Sequence, residues 1–202
     1  MPRRAATARL IAAGCLAVAL TACGSGGGSD TGTTAAPAPP ASSAAPATTA
    51  AAAASTAATG AFRLTSPAFA DNAAIPRRFT CQGEGVSPEL DWTGVPAGTT
   101  TLALLVVDPD APIDNGFTHW VLTDIAPAAG TLTEGTTAGT QGDSSRGGPG
   151  YTGPCPPSGM HHYIFTLYAL AAPPAAATRE AIEASAPQAL GKAVLTGTYE
   201  QS

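Results

Sequence analysis

The sequence predicts a mainly β domain, a β-sandwich carrying one or two short helices. Three observations point that way. Residues 101–110 (TLALLVVDPD), 118–125 (THWVLTDI) and 161–170 (HHYIFTLYAL) are long apolar runs rich in β-branched side chains. Turns rich in proline and glycine separate them. A single later segment has a helical pattern. Many short strands with turn punctuation build stacked sheets rather than a parallel sheet layered with helices.

In chain order, residues 62–64, 78–81 and 90–92 are short strand candidates, the last centred on Trp92 and followed by the turn TGVPAG. The run 101–110 is stopped by Pro109 and Pro112, which cannot donate to a strand ladder. Residues 118–125 and 161–170 are the next two strands. Residues 177–190 predict a helix capped by Thr178, with Glu180 and Glu183 in its first turns and an interruption at Pro187. Residues 193–199 close the domain as a strand. Trp92, Trp120, Phe165 and Tyr168 are expected in the core.

The front of the chain has a different character. Arg3, Arg4 and Arg9 precede an apolar stretch over residues 10–22, long enough for the core of a signal peptide and short for a membrane span. It ends in Leu20-Thr21-Ala22-Cys23, which resembles the lipobox of bacterial lipoproteins, so residues 1–22 are expected to be cleaved and Cys23 acylated. An ordinary secretory signal is the alternative. Residues 23–60 follow as an Ala/Thr/Pro/Gly-rich tether with almost no bulky apolar surface to offset ordering entropy. As a coil, it would span about 35 Å on average. The expected location is the outer face of the cell membrane, held by lipid, with residues 61–202 as one domain.

Removing residues 1–22 leaves six basic against fourteen acidic side chains, a net charge of about −8. Such a chain is repelled by nucleic acid and by anionic bilayer surfaces, which argues against both as charge-driven partners. Cys81 and Cys155 remain after Cys15 and Cys23 are accounted for. An even pair in an oxidising compartment suggests a disulfide; two reduced thiols are the alternative. Neither cysteine has a neighbour at zinc-ligand spacing, so no metal site is expected.

Side chains alternate across a strand, so parity is a statement about faces. Leu102, Leu104 and Val106 share a face with Asp108 and Asp110. His161 and Tyr163 share one with Phe165 and Leu167, whereas His162 points the other way. Each apolar face therefore ends in polar residues at a turn: Asp108 and Asp110, His119, and His161 with Tyr163. If the three strands are neighbours, one small pocket gathers two carboxylates, two imidazoles and a phenol.

The segments DPDAP (108–112), THW (118–120), GPCPP (153–157) and GMHHY (159–163) together resemble the phosphatidylethanolamine-binding protein family, in its bacterial Raf kinase inhibitor-like branch. CQGEGVSPELDW (81–92) and LTGTYEQ (195–201) also match. The resemblance implies an antiparallel β-sandwich whose cavity binds phosphate-like and carboxylate anions, and phospholipid head groups in some members. Its pocket residues would be Asp108, Asp110, His119, Gly153, Pro154, His161 and Tyr163, and His162 stands where many relatives have arginine. The stretch GDSSRGGPGY (142–151) departs from the family in lacking an asparagine and an aromatic residue at the rim.

No G-x-S-x-G, H-E-x-x-H or Walker pattern is present, and the only serine within the pocket stretch GPCPPSGMHHY, Ser158, lies in a turn. The expectation is a non-catalytic, cofactor-free binding protein for a small phosphate- or carboxylate-bearing ligand. The alternative is an inhibitory module acting on a secreted protease or kinase-type protein partner. Ionised Asp108 and Asp110 would repel an anion unless they orient and favour protonation of the histidines, or one of them is itself protonated in the complex, so affinity is expected to rise as pH falls toward 6.

Overall fold

Proline and glycine decide where the strands of this chain begin and end. In the computed structural model, which describes residues 60–201, the strands are β1 (Arg63–Thr65), β2 (Ala73–Ala74), β3 (Leu90–Thr93), β4 (Thr101–Asp108), β5 (Phe117–Ile125), β6 (Thr131–Leu132), β7 (Thr140–Gly142), β8 (Met160–Leu170) and β9 (Gly191–Glu200). A short helix, α1 (Arg179–Ser185), precedes β9. The signal segment, Cys23 and the tether up to residue 59 lie outside the described residues.

The strands form a six-stranded sheet in the order β2-β9-β8-β4-β5-β7 and a three-stranded sheet β1-β3-β6. The long strands pair antiparallel; the two-residue β2 runs parallel to β9. Leu102, Leu104 and Val106 of β4 meet Trp120, Phe165 and Leu167 in the core between the sheets, with Leu64, Leu90 and Trp92 arriving from the small sheet. Ala103, Leu105, Val121 and Leu170 face the opposite side and pack on Ile182 of α1. Both faces of the central strands are thereby covered, which is why they read as continuous apolar runs rather than alternating ones. Each buried leucine contributes roughly 1.5–3 kcal/mol. Both indoles find acceptors, Trp92 Nε1–H at the Pro127 carbonyl and Trp120 Nε1–H at Gln141 Oε1.

Residues 78–81, expected as a strand, instead enter a 3-10 turn over Arg77–Phe79. Pro76 opens it, the Thr80 N–H and hydroxyl both donate to the Arg77 carbonyl, and Phe79 drops into the core. The predicted helix over 177–190 contracts to residues 179–185. Thr178 does cap it, accepting from the Ala181 N–H at 3.2 Å. Pro187 then turns the chain into a 3-10 segment, because it has no N–H to continue the α ladder. The strands β2, β6 and β7 were not expected, since two or three residues carry no periodicity.

Candidate functional site

β4 lies between β5 and β8, antiparallel to both, with Asp108 opposite Phe117 and Val107 opposite Thr118 and Ile164. The C-terminal end of β4 and the N-terminal ends of β5 and β8 therefore share one rim of the sheet. The turn leaving β4 is closed by Asp108 itself, whose Oδ1 accepts from the Asp110 and Ala111 N–H groups at 2.9 and 3.1 Å. At the return, Gly116 has φ +75°, and a Cβ there would stand 2.5 Å from the Asp108 carbonyl oxygen. Only glycine lets the chain pass so close.

At this rim is a cavity of about 140 Å³, with Asp108, His119, Arg146, Thr152 and His161 as polar walls and Pro112, Ile113 and Phe117 as apolar ones. It has room for a small anionic group. Grooves of about 430 and 650 Å³ lie elsewhere on the surface and contain no histidine. Chemistry rather than size singles out the smaller one.

The two imidazoles are each held by one ring nitrogen. His161 Nδ1–H donates to Asp108 Oδ2 at 2.7 Å, and His119 Nδ1–H donates to the Thr152 carbonyl at 2.6 Å. The Thr152 N–H returns to the His119 carbonyl at 2.8 Å, so the loop after β7 is sewn onto β5. Asp108, His119 and His161 are 3, 5 and 7 % exposed. His119 stacks against Phe117 and meets Tyr163 edge-on, ring centres 4.7 and 5.0 Å away. Burial holds the His119 pKa below the ordinary imidazole value; the Thr152 carbonyl and Asp108 oppose that, while Arg146 and His161 reinforce it. Asp108 thus pulls His119 toward protonation, as expected, but burial outweighs that pull. The Asp108 carboxylate is occupied by two amides and an imidazole, so its charge is already engaged before an anion arrives.

Of the seven residues expected in the pocket, Asp108, His119, Gly153 and His161 line it. Asp110 does not, because β4 has ended and the carboxylate turns to the surface. There it accepts from the backbone N–H and Nδ1–H of His162 at 2.8 and 2.7 Å, and the His162 hydrogen bond is the main cause of its lowered pKa. Pro154 is buried behind the wall, its carbonyl accepting from the Cys81 N–H at 3.0 Å. Gly153 does more than line the cavity. A Cβ there would come within 2.9 Å of the Phe79 carbonyl oxygen, so its bareness lets the 151–157 loop seat against the Arg77–Phe79 turn. Cys81 and Cys155 are joined, Cα–Cα 5.5 Å, and Cys155 forms part of the cavity wall.

Tyr163 packs behind His119, 1 % exposed, and its hydroxyl is buried without a hydrogen-bond partner. Burial, with the nearby carboxylates, raises its pKa above the ordinary phenol value; the Cys155 backbone opposes this weakly. A sealed, unpartnered hydroxyl costs about 1–3 kcal/mol. Tyr163→Phe is therefore expected to unfold at equal or higher denaturant, by up to about 1 kcal/mol, with anion affinity unchanged. A Tyr163→Phe variant that loses affinity would show the hydroxyl reaching the ligand.

Arg146 and Thr152 were not among the residues read from sequence. A signal for Arg146 existed: it is the only basic residue between Arg78 and Arg179, set in the glycine-rich SSRGGPG. Thr152 acts through its backbone carbonyl, which no residue type announces.

Two tethered imidazoles, one guanidinium and an apolar lip suit a small, partly desolvated anion. Among the described residues no three His, Cys, Asp or Glu side chains gather as metal ligands. A family model for phosphatidylethanolamine-binding protein matches residues 65–200. A Mycobacterium tuberculosis protein bearing the lipoprotein name LppC is 44% identical over 193 residues, covering 92% of each chain. A Methanothermobacter thermautotrophicus protein named UPF0098 is 43% identical over 68% of this chain and 98% of its own. Among solved structures, the phosphatidylethanolamine-binding protein homologue CT736 of Chlamydia trachomatis superposes with TM-score 0.67 at 36% identity, over 70% of this chain and 99% of its own. Escherichia coli YbcL does so with TM-score 0.64 at 30% identity, over 71% and 100%.

Proposed function

This chain belongs to the phosphatidylethanolamine-binding protein family, and from that premise we propose that it is a membrane-anchored, non-catalytic binding protein whose cavity holds a small phosphate- or carboxylate-bearing ligand, a phospholipid head group being one candidate. The observation that carries this reading is the pairing at one rim of His161 on Asp108 and His119 on Thr152, with Arg146 as the cation beside them. Side chains already fixed by the fold lose little entropy on binding, so even a cavity of this size can hold an anion with useful affinity. The lipid anchor is read from Cys23 and its lipobox, and the lipoprotein name of the relative supports it. Among the described residues no helix is long and apolar enough to cross a membrane; acylation of Cys23 is the attachment this reading supposes. Export to the outer face follows from the signal segment.

Full-length protein in detergent, titrated with phosphoethanolamine and followed by NMR, is expected to give saturable shifts at His119, His161 and Gly153. Arg146→Ala should weaken binding about tenfold, the scale of one lost charge-assisted hydrogen bond. Absence of any shift at millimolar ligand would remove the reading.

A further inference from the structure

A groove of about 650 Å³ lies along β1 and the first half of β9 and shares no residue with the anion cavity. Phe62, Leu64, Phe69 and Leu195 supply its apolar part. Two strand edges meet there. β1 ends the three-stranded sheet, pairing with β3 alone. β9 pairs with β8 along its whole length, but β2 covers its outer edge only at Gly197 and Thr198.

Along such a strand the backbone groups of successive residues point alternately to its two edges. Thr196 turns its N–H to Asp71 Oδ1 at 2.8 Å and its carbonyl to the Asn72 N–H at 2.7 Å, and the Thr198 carbonyl accepts from the Ile75 N–H at 2.7 Å. The even-numbered residues of β9 therefore face outward. The same parity turns the N–H and C=O of Lys192 and Val194 to the edge, where no strand among the described residues meets them. Both side chains are exposed, Val194 at 44 %. An open edge of this kind is a template for a further strand.

Charge selects the occupant. Arg78 is paired with Glu84 and Glu134, and Arg179 with Glu183, whereas Arg63 and Lys192, both on this groove, have no acidic partner among the described residues. The groove's one carboxylate, Asp71, is already engaged by the Thr196 N–H and by Asn72 Nδ2–H. A chain with an excess of acidic side chains thus keeps two cations unpaired beside an open edge. A second copy presenting the same edge would bring like charges together, which disfavours it.

We infer that this edge docks an extended segment of a partner protein in which acidic and apolar residues alternate, added as a strand along residues 191–195 of β9. Such a stretch spans about 17 Å, so a short segment suffices. Its backbone bonds the outward N–H and C=O of Lys192 and Val194, its carboxylates approach Arg63 and Lys192, and its apolar side chains lie on Phe62 and Val194. The inference does not depend on the anion-binding reading.

The probe is a short, end-capped peptide of alternating glutamate and valine, added to the full-length protein in detergent at physiological salt and followed by NMR. Saturable shifts are expected at the Lys192 and Val194 amides and none at His119 or His161. The same peptide with lysine for glutamate should bind about fivefold more weakly, although the net negative chain favours it at long range. N-methylation of the central amides removes strand donors and keeps every side chain, and should weaken binding about tenfold or more. Val194→Pro, a change an outward-facing edge N–H tolerates, should weaken it about as much. Arg63→Glu with Lys192→Glu should reverse the preference between the glutamate and lysine peptides. Equal binding of the N-methylated peptide means adhesion without strand addition and overturns the inference, as does equal binding of the lysine peptide at these amides or no shift from either. A dimer that protects the Val194 amide and excludes the peptide overturns it in favour of a second copy.

Discussion

Asp108→Ala is expected to cost about 3 kcal/mol of stability and to abolish detectable anion binding. The carboxylate is 3 % exposed and serves three donors at once, the Asp110 and Ala111 amides and His161 Nδ1–H. Removing it leaves those donors facing the cavity edge without an acceptor, and each buried loss of this kind is worth about 1–3 kcal/mol, partly recovered by water entering the cavity. The binding loss has a separate origin. Without Asp108 the His161 ring is no longer held, and the turn that brings Pro112 and Ile113 to the cavity is no longer closed. Asp108→Asn separates the two effects. Its Oδ1 still closes the turn, but its amide group donates toward His161 Nδ1 and forces the proton onto Nε2. The Asn variant should thus retain most of the stability, within about 1.5 kcal/mol, while changing which anions bind. Urea denaturation of both variants beside anion titrations checks this. A loss below about 1 kcal/mol for Asp108→Ala would mean that the three hydrogen bonds are replaced by solvent.

The placement of Asp108 was legible in the sequence because a strand fixes parity. Asp108 follows Leu102, Leu104 and Val106 on one face, and His161 and Tyr163 precede Phe165 and Leu167, so the core side of each strand continues into the site. That rule stops where the strand stops. It carried Asp110 into the pocket, although Pro109 had ended the ladder and the next side chain was free to turn outward to His162. It also could not separate a residue whose ring is on the core face from one whose polar atom reaches the cavity, which is the case of Tyr163. Periodicity likewise says nothing of the loops. Arg146 and Thr152 are brought in by the local Ser144–Gly148 turn and by a backbone exchange with the distant His119, neither of which has a periodic pattern. The Arg77–Phe79 turn was misread for a related reason: four residues are too few for a period, and Pro76 with the Thr80 hydroxyl decided the matter locally.

Replacing both Cys81 and Cys155 by alanine is expected to lower stability by about 4 kcal/mol while leaving anion affinity within about fivefold at temperatures where the protein stays folded. The bond spans 74 positions, so it restricts a long loop of the unfolded chain, and most of its effect falls on the unfolded state. The native wall, by contrast, has other fastenings. Cys81 N–H still donates to the Pro154 carbonyl, the Tyr151 hydroxyl still donates to the Phe79 carbonyl at 2.9 Å, and Gly153 still lies flush against Phe79 and Thr80. Together these keep residues 151–157 on the Arg77–Phe79 turn without the sulfur bridge. Denaturant midpoints of the oxidised protein, the dithiothreitol-reduced protein and the double alanine variant should then group as one high and two low values, with similar phosphoethanolamine affinities in all three. If reduction instead removed binding while stability barely moved, the disulfide would be a local clasp on the cavity wall, and the oxidation state of its surroundings would control ligand capture directly.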